Sequence, residues 1–457
     1  MPRVIITAPG SGHGKTSVAT GLLGALRQRG LAVSPHKVGP DYIDPGYHAL
    51  AAGRPGRNLD PWLVGEDQIV PMFIHGARTP APADVAIIEG VMGLFDGASG
   101  RGDFASTAHV ARLLGAPIVL VVDATGVSSS AAALLHGFAT FDDRTRLGGV
   151  IFNKVGSAHH DRLLRDAADA AGVPVLGVIR RLGQLAVPSR HLGLIPAAEL
   201  GRDAAAAVGA LTAIVSGGVD LEALFGLART ASALPDPEIK TERAVVTATR
   251  PRIAVAGGAA FTFGYAEHPE LLTAAGAEVV TFDPLHDEKL PDDVHGLVIG
   301  GGFPEEHAAD LSANAGLRAE VAALAGAGAP VIAECAGLLY LSRSLDGHPM
   351  CGVLEVEGAM TSRLTLGYRG AVAVTGSPLG PAGTRAHGHE FHRTAVRSPG
   401  IAANAWRWTA SGTAVTEGFV RGRMHASYLH THWNGIPGAA ARITAAARDY
   451  QEARVSG

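Results

Sequence analysis

Residues 8–16 read Ala8-Pro9-Gly10-Ser11-Gly12-His13-Gly14-Lys15-Thr16, between an apolar run, Arg3–Ala8, and a helix-forming stretch, Ser17–Gln28. No other feature constrains the fold of this chain as strongly. A strand, a glycine-rich turn and a helix in that order bring backbone N–H groups and a helix N-terminus to one point, which is an anion-binding geometry. Gly10, Gly12 and Gly14 let the turn close. Lys15 would reach the outer phosphates of a nucleotide such as ATP, and Thr16 would offer its hydroxyl to Mg²⁺. Pro9 stands where the strict pattern has Gly, so the loop is a variant, one residue longer when counted from Ala8.

Short apolar runs then alternate with helix-length, Ala/Leu-rich stretches. Strand candidates are Arg3–Ala8, Leu31–Lys37, Asp84–Glu89, Pro117–Val122, Gly148–Asn153 and Pro174–Ile179. Val/Ile-rich runs separated by helices predict βα units, an α/β fold whose parallel sheet is covered on both faces. The pattern decays after Leu227. Ala228–Arg250 carries prolines and charges without periodicity and reads as a linker. A second βα pattern starts at Arg252 with RIAVAG and continues through AEVVTF, GLVIGGG and PVIAEC, with β-like segments near Ala371 and Val415. The expected organisation is a domain over 1–227, a linker over 228–250 and a domain over 251–450.

Three acidic clusters follow predicted strands. They are Asp41-Tyr42-Ile43-Asp44 within KVGPDYIDPGYH, Glu89 to Asp96 within EGVMGLFDG, and Asp123 after IVLVV. Ligands of doubly wound sheets lie beyond the carboxyl ends of the strands, so these carboxylates should gather round the phosphate loop. Mg²⁺ takes one or two carboxylates with phosphate and water. Glu89 and Asp41, with Thr16, are the expected ligands. A carboxylate that directly ends a buried strand is costly without a cation, which favours Glu89. Asp44 and Asp96 adjoin Pro or Gly and are equally readable as turn caps. Asn153 ends another strand, where it could contact a purine edge or cap a turn.

The second chemical feature is Pro330-Val331-Ile332-Ala333-Glu334-Cys335-Ala336-Gly337-Leu338, a strand, a sharp turn and a helix. This is the nucleophile-elbow arrangement with sulfur in place of oxygen. The helix N-terminus is expected to lower the thiol pKa and favour thiolate. The Ala336 N–H would form one side of an oxyanion hole and the turn Gly300-Gly301-Gly302 the other, with Gly301 and Gly302 as donors. The base must come from elsewhere. Ala426–Trp433 holds His430, the first choice, and His432, an alternative or orienting partner. Cys351 lacks such a context and reads as structural. The stretch AHGHEFHR, 386–393, does not match zinc spacings and is expected to be an interdomain or substrate-facing loop.

Composition excludes several function classes. The net charge is −4 with no long basic run, which gives no electrostatic case for nucleic acid or an anionic membrane. Two cysteines make no disulfide framework, so a reducing cytoplasm is expected. The first residues run into a strand pattern without a charged leader. The longest strongly apolar run, Leu113–Val122, is about ten residues, too short to span a bilayer.

With these residues in place, the sequence resembles the cobyrinic and hydrogenobyrinic acid a,c-diamide synthases of corrin (vitamin B12) biosynthesis. The likeness rests on APGSGHGKT, KVGPDYIDPGYH, EGVMGLFDG, AECAGLLYL, GHEFHRT and ASYLHTHW, and covers nearly the full length. The resemblance implies a P-loop, dethiobiotin-synthetase-like amidoligase domain followed by a class I glutamine amidotransferase domain of flavodoxin-like fold. Carried onto this chain, it gives ATP and Mg²⁺ to the Gly10–Thr16 loop, Asp41 and Glu89. It gives a corrinoid polycarboxylate to the loops holding Asp41, Tyr42, Asp44 and Asp96, and glutamine to Cys335. In ordinary class I amidotransferases a Glu follows the histidine by two residues. His432 stands there, which leaves the third catalytic partner open. The implied mechanism activates a carboxylate as an acyl phosphate and supplies ammonia from a glutamyl thioester by an enclosed route between the domains. A cobyric acid synthase acting on other corrin carboxylates is the near alternative. A P-loop partitioning or scaffold ATPase with an inactive second domain is the distant one. The assembly to test for is a homodimer.

Overall fold

The computed structural model describes residues 1–181, 189–190, 193–235, 250–398, 400, 402–410 and 412–456. The chain divides into two compact units, Met1–Ile239 and Lys240–Gly457. Residues 236–249 of the expected linker lie outside the described residues, and its first two continue the helix Leu221–Arg229.

The first unit is built on β1 (Arg3–Thr7), β2 (Val33–Val38), β3 (Arg57–Leu59), β4 (Val85–Glu89), β5 (Ile118–Asp123), β6 (Leu147–Val155) and β7 (Val175–Arg180). Their order is β3-β2-β4-β1-β5-β6-β7, and every pairing is parallel. β1, β4 and nearly all of β5 are buried, as Val/Ile-rich strands covered on both faces must be. A two-residue ribbon, β8 (Ser189–Arg190) with β9 (Gly193–Leu194), stands apart from this sheet. Helix α1 (Lys15–Gln28) follows β1, so the phosphate loop lies at the carboxyl end of a central strand. The register sets Glu89 opposite both Ile6 and Lys37, which brings a carboxylate and an ammonium to the same strand ends.

The second unit has a six-stranded sheet and a second, mixed sheet. The first contains β10 (Arg252–Ala256), β11 (Glu278–Phe282), β12 (Gly296–Ile299) and β13 (Val331–Glu334). The mixed sheet begins with β14 (Ser344–Leu345), β15 (His348–Pro349), β16 (Glu357–Ala373) and β17 (Arg385–Arg397), and continues with β18 (Trp406–Ala410) and β19 (Thr413–Glu417). β20 (Phe419–Arg421) and β21 (Met424–Ser427) complete the first sheet, in the order β11-β10-β12-β13-β21-β20, and β22 (His430–Thr431) pairs with β17. One apolar cluster on this unit includes Cys335, Ala336, Leu338, Tyr340 and Cys351; another gathers Ile253, Val298, Ile332, Trp406 and Ile443.

Residues 386–393 are not a loop. They lie inside β17, paired with β16 on one side and, at Gly388 and His389, with β22 on the other. His389, Glu390 and His392 are buried there, with Glu390 paired to Arg369 of β16 and 3.7 Å from His392, so the polarity of the run hides its strand character. Among the described residues, no helix is long and apolar enough to cross a membrane.

Candidate active sites

In the first unit a cavity of about 450 Å³ opens beside the phosphate loop, lined by residues including Gly12, Lys15, Thr16, Asp41, Asp44 and Glu89. Gly12 and Gly14 have φ of 84° and 88°, a region that disfavours other residues. At Gly14 a Cβ would also collide with the Asn153 side chain. That side chain braces the loop, its Nδ2 donating to the His13 carbonyl at 3.0 Å and its Oδ1 accepting from Lys154 N–H. Lys15 Nζ donates to the carbonyls of Gly10 and Met92, at 3.1 and 2.6 Å, which ties the 89–96 loop to the phosphate loop.

Below the loop lies a knot of charge. Thr16 Oγ1 donates to Glu89 Oε1 at 2.7 Å and to Asp44 Oδ2 at 3.2 Å. Lys37 Nζ bridges the same two oxygens at 2.9 and 2.7 Å. His48 Nε2 lies 2.7 Å from Glu89 Oε2. Burial resists ionisation of Glu89, yet Lys37 and His48 hold its carboxyl well below the usual range. Burial, reinforced by the charge of Asp41, raises Asp44 instead, up to about 7. Lys37 stays protonated because both carboxylates outweigh its desolvation.

Asp41 lines the cavity, but its Oδ1 accepts from the amides of Ile43 and Asp44. Asp41 is therefore the turn cap here, and Asp44 is the carboxylate that reaches Thr16, the reverse of the sequence expectation. Tyr42 is buried beside them. Asp96 is exposed and accepts from Gly93 N–H at 2.8 Å, a turn cap within the 89–96 loop. Asp123 pairs with Lys154 at 2.7 Å, and its amide donates to His13. Lys37 and His48 escaped the sequence reading. The only signal was their place in KVGPDYIDPGYH, and a lysine at a strand end ordinarily reads as solvated.

The second unit holds the thiol. Cys335 has φ of 50°, the strained corner an elbow requires, between β13 and the helix Ala336–Leu341. Its amide donates to the Ser427 carbonyl, and Gly337 N–H donates to the Gly300 carbonyl. These bonds fasten the elbow to the glycine turn and to the strand preceding His430. A Cβ on Gly301 would meet His430 Cε1, so the glycine turn and the imidazole are in contact. Gly301 N–H donates to the Phe263 carbonyl, which removes it as an oxyanion donor and leaves Gly302 and Ala336.

Cys335 is only 3% exposed. Burial pushes its thiol well above the usual range, with Glu305 adding to the effect and the Ala336 N–H opposing it. A helix N-terminus of this length does not overcome desolvation, so the expected resting thiolate is replaced by a neutral thiol. His430 is fully buried and held well below its ordinary pKa by desolvation, then by His389 and His392. Thiol and imidazole are both neutral at rest. His432 faces elsewhere: its Nε2 lies 3.6 Å from Glu267, and its ring lies beside Tyr265 and His268. Cys351 packs in the core next to Tyr340.

A phosphate-loop unit joined to a thiol-elbow unit defines a nucleotide-dependent glutamine amidotransferase. Residues 4–195 match the CobQ/CobB/MinD/ParA nucleotide binding domain, and residues 252–437 match the CobB/CobQ-like glutamine amidotransferase domain. The hydrogenobyrinate a,c-diamide synthase of Streptomyces coelicolor is 59% identical, over 97% of each chain. That of Mycobacterium tuberculosis is 57% identical over the same shares. The cobyrinate a,c-diamide synthase of a Synechococcus strain is 42% identical, over 95% of this chain and 96% of that one. The chain belongs to the hydrogenobyrinate and cobyrinate a,c-diamide synthase family.

Proposed function

We propose that this protein amidates the a and c side-chain carboxylates of hydrogenobyrinic acid, using ATP and glutamine. The observation that carries the reading is the presence in one chain of two unlike centres: a phosphate pocket edged by Thr16 and Glu89, and a buried thiol elbow hydrogen-bonded to a glycine turn that touches His430. Relatives named for the cobalt-free ring are 52–59% identical, against 42–43% for those named for cobyrinate, which supports the cobalt-free substrate.

A free carboxylate is a poor acyl donor, because its leaving group would be oxide. Transfer of the γ-phosphoryl of ATP gives an acyl phosphate, with Lys15 and the loop amides balancing charge. Hard oxygens from Thr16, Glu89 and Asp44 converge and fit Mg²⁺, which prefers few carboxylates with phosphate and water. That ion would neutralise charge on the transferring phosphoryl group. In the second unit, the Cys335 proton passes to His430 as sulfur attacks the glutamine amide carbon. The C–N bond breaks, ammonia leaves with a proton from the imidazolium, and water releases glutamate from the thioester. Gly302 and Ala336 would hold the oxyanion. Asp41, Tyr42 and Asp96 border the corrinoid, where the charge of the two carboxylates discourages wrongly docked carboxylates.

Incubating the purified protein with ATP, glutamine and either hydrogenobyrinic or cobyrinic acid, then counting amides by mass, tests this. Two added amides with faster turnover on the metal-free ring are expected. No mass change on either ring overturns the reading.

A further inference from the structure

The place that usually carries the carboxylate partner of a glutaminase histidine is occupied by His432, whose ring faces Glu267. A different carboxylate stands against His430. Glu334 immediately precedes the nucleophile and is buried at the end of β13. Its Oε1 accepts from both the amide and the hydroxyl of Thr431, at 3.2 and 2.7 Å. Its Oε2 lies 3.9 Å from His430 Nδ1. The two bonds to Thr431 fix the carboxylate against the strand that carries the histidine. Two other acidic groups bear on the thiol, but Glu417 is engaged with Ser427 and the Tyr428 amide, and Glu305 lies in the turn Pro304–His307.

We infer that Glu334 is the positioning residue of the glutaminase centre: it orients His430 through Nδ1 and balances the imidazolium formed when Cys335 gives up its proton. A neutral thiol and a neutral imidazole create a charge pair only during proton transfer, and in a buried site a new imidazolium needs a nearby anion. The proton leaves sulfur and arrives on His430. Glu334 takes no proton and makes no bond to substrate. Sequence spacing gave no hint of this role. It depends on the end of β13 meeting β22, a strand of the other sheet, through the hydrogen bonds from Thr431 to Glu334.

Burial raises Glu334 up to about 7, against the two Thr431 hydrogen bonds, which lower it. The other titratable groups facing His430 are His389 and His392 from β17, and His389 is itself depressed to about 3 by burial. Glu334 must be ionised to balance an imidazolium, so its protonation as pH falls through about 7 sets an acid limb in the glutamine-dependent rate, and a variant without the carboxylate loses that limb, which moves the fall in rate to lower pH.

This inference rests on the amidotransferase reading, and the experiment keeps the two apart. Glu334→Gln should lower kcat with glutamine about 10- to 100-fold, leave KM for glutamine within about twofold, and shift the acid limb downward. The ammonia-supported rate of the same protein is the folding control. Thr431→Val, which removes one anchor of the carboxylate, should lower the glutamine rate by a smaller factor with ammonia unaffected. An unshifted acid limb with kcat near wild type, or equal losses with glutamine and ammonia in both variants, overturns the inference. Persistence of glutamine-driven turnover in Cys335→Ala would instead remove the reading beneath it.

Discussion

The two centres of this molecule manage charge in opposite ways. In the first unit, Lys37, Asp44, Glu89 and His48 are packed together as a standing network, and Glu89 is held ionised although fully buried. In the second unit, Cys335 and His430 are equally buried, and the surroundings keep both neutral. A site that receives a nucleotide requires fixed charge before its ligand arrives. A site that makes a nucleophile once per turnover can hold its proton until glutamine is bound, which keeps the thiol protected from oxidation and stray alkylation. The same degree of burial therefore serves binding in one unit and restraint in the other, and partner charges decide which.

Substitutions can break this contrast. The largest effect is expected from Lys15→Ala, which removes the ammonium of the phosphate loop. Amidation should fall about 10³-fold or more whether nitrogen comes from glutamine or from ammonia. A loss confined to glutamine would mean that the loop does not serve carboxylate activation.

Glu89→Gln comes next. It leaves Lys37 and His48 without their shared carboxylate, and breaking a buried ion pair from one side costs about 3–5 kcal/mol. Urea unfolding should show that loss, and the Mg²⁺ concentration needed for half-maximal turnover should rise. An unchanged unfolding midpoint would show that the network is not under charge strain.

A smaller effect sharpens the other side of the comparison. Because burial raises the Cys335 thiol, iodoacetamide should label it at least about tenfold more slowly than a free cysteine at pH 7. Labelling should climb only in the alkaline range, where the thiolate appears. Rapid labelling at neutral pH would mean a resting thiolate and would erase the contrast with the first unit.

Much of the first unit was legible from the chain because buried parallel strands are continuous runs of Val and Ile, and helices separate them. β3 was not, being three residues of which two are Arg57 and Asn58. The phosphate loop and the cysteine elbow were readable because their chemistry sits in consecutive residues. What escaped was everything that depends on register. Lys37 meets Glu89 across two strands, Glu334 meets His430 through strand placement, and Asp41 and Asp44 exchange roles in a turn whose sequence looks nearly symmetric. The polar strand 386–393 escaped for a related reason, since its buried Glu390 is paired with Arg369 of β16, a neighbour that no local pattern reveals.

The account depends on two separable centres, one that primes an acid and one that releases nitrogen. The most direct test is the turnover of Cys335→Ala with saturating glutamine and, separately, with a high concentration of ammonium at alkaline pH. The account predicts that glutamine-driven amidation disappears while the ammonia-driven rate stays within about twofold of the parent protein. Undiminished glutamine turnover, or loss of both rates in a protein that remains folded, would contradict it.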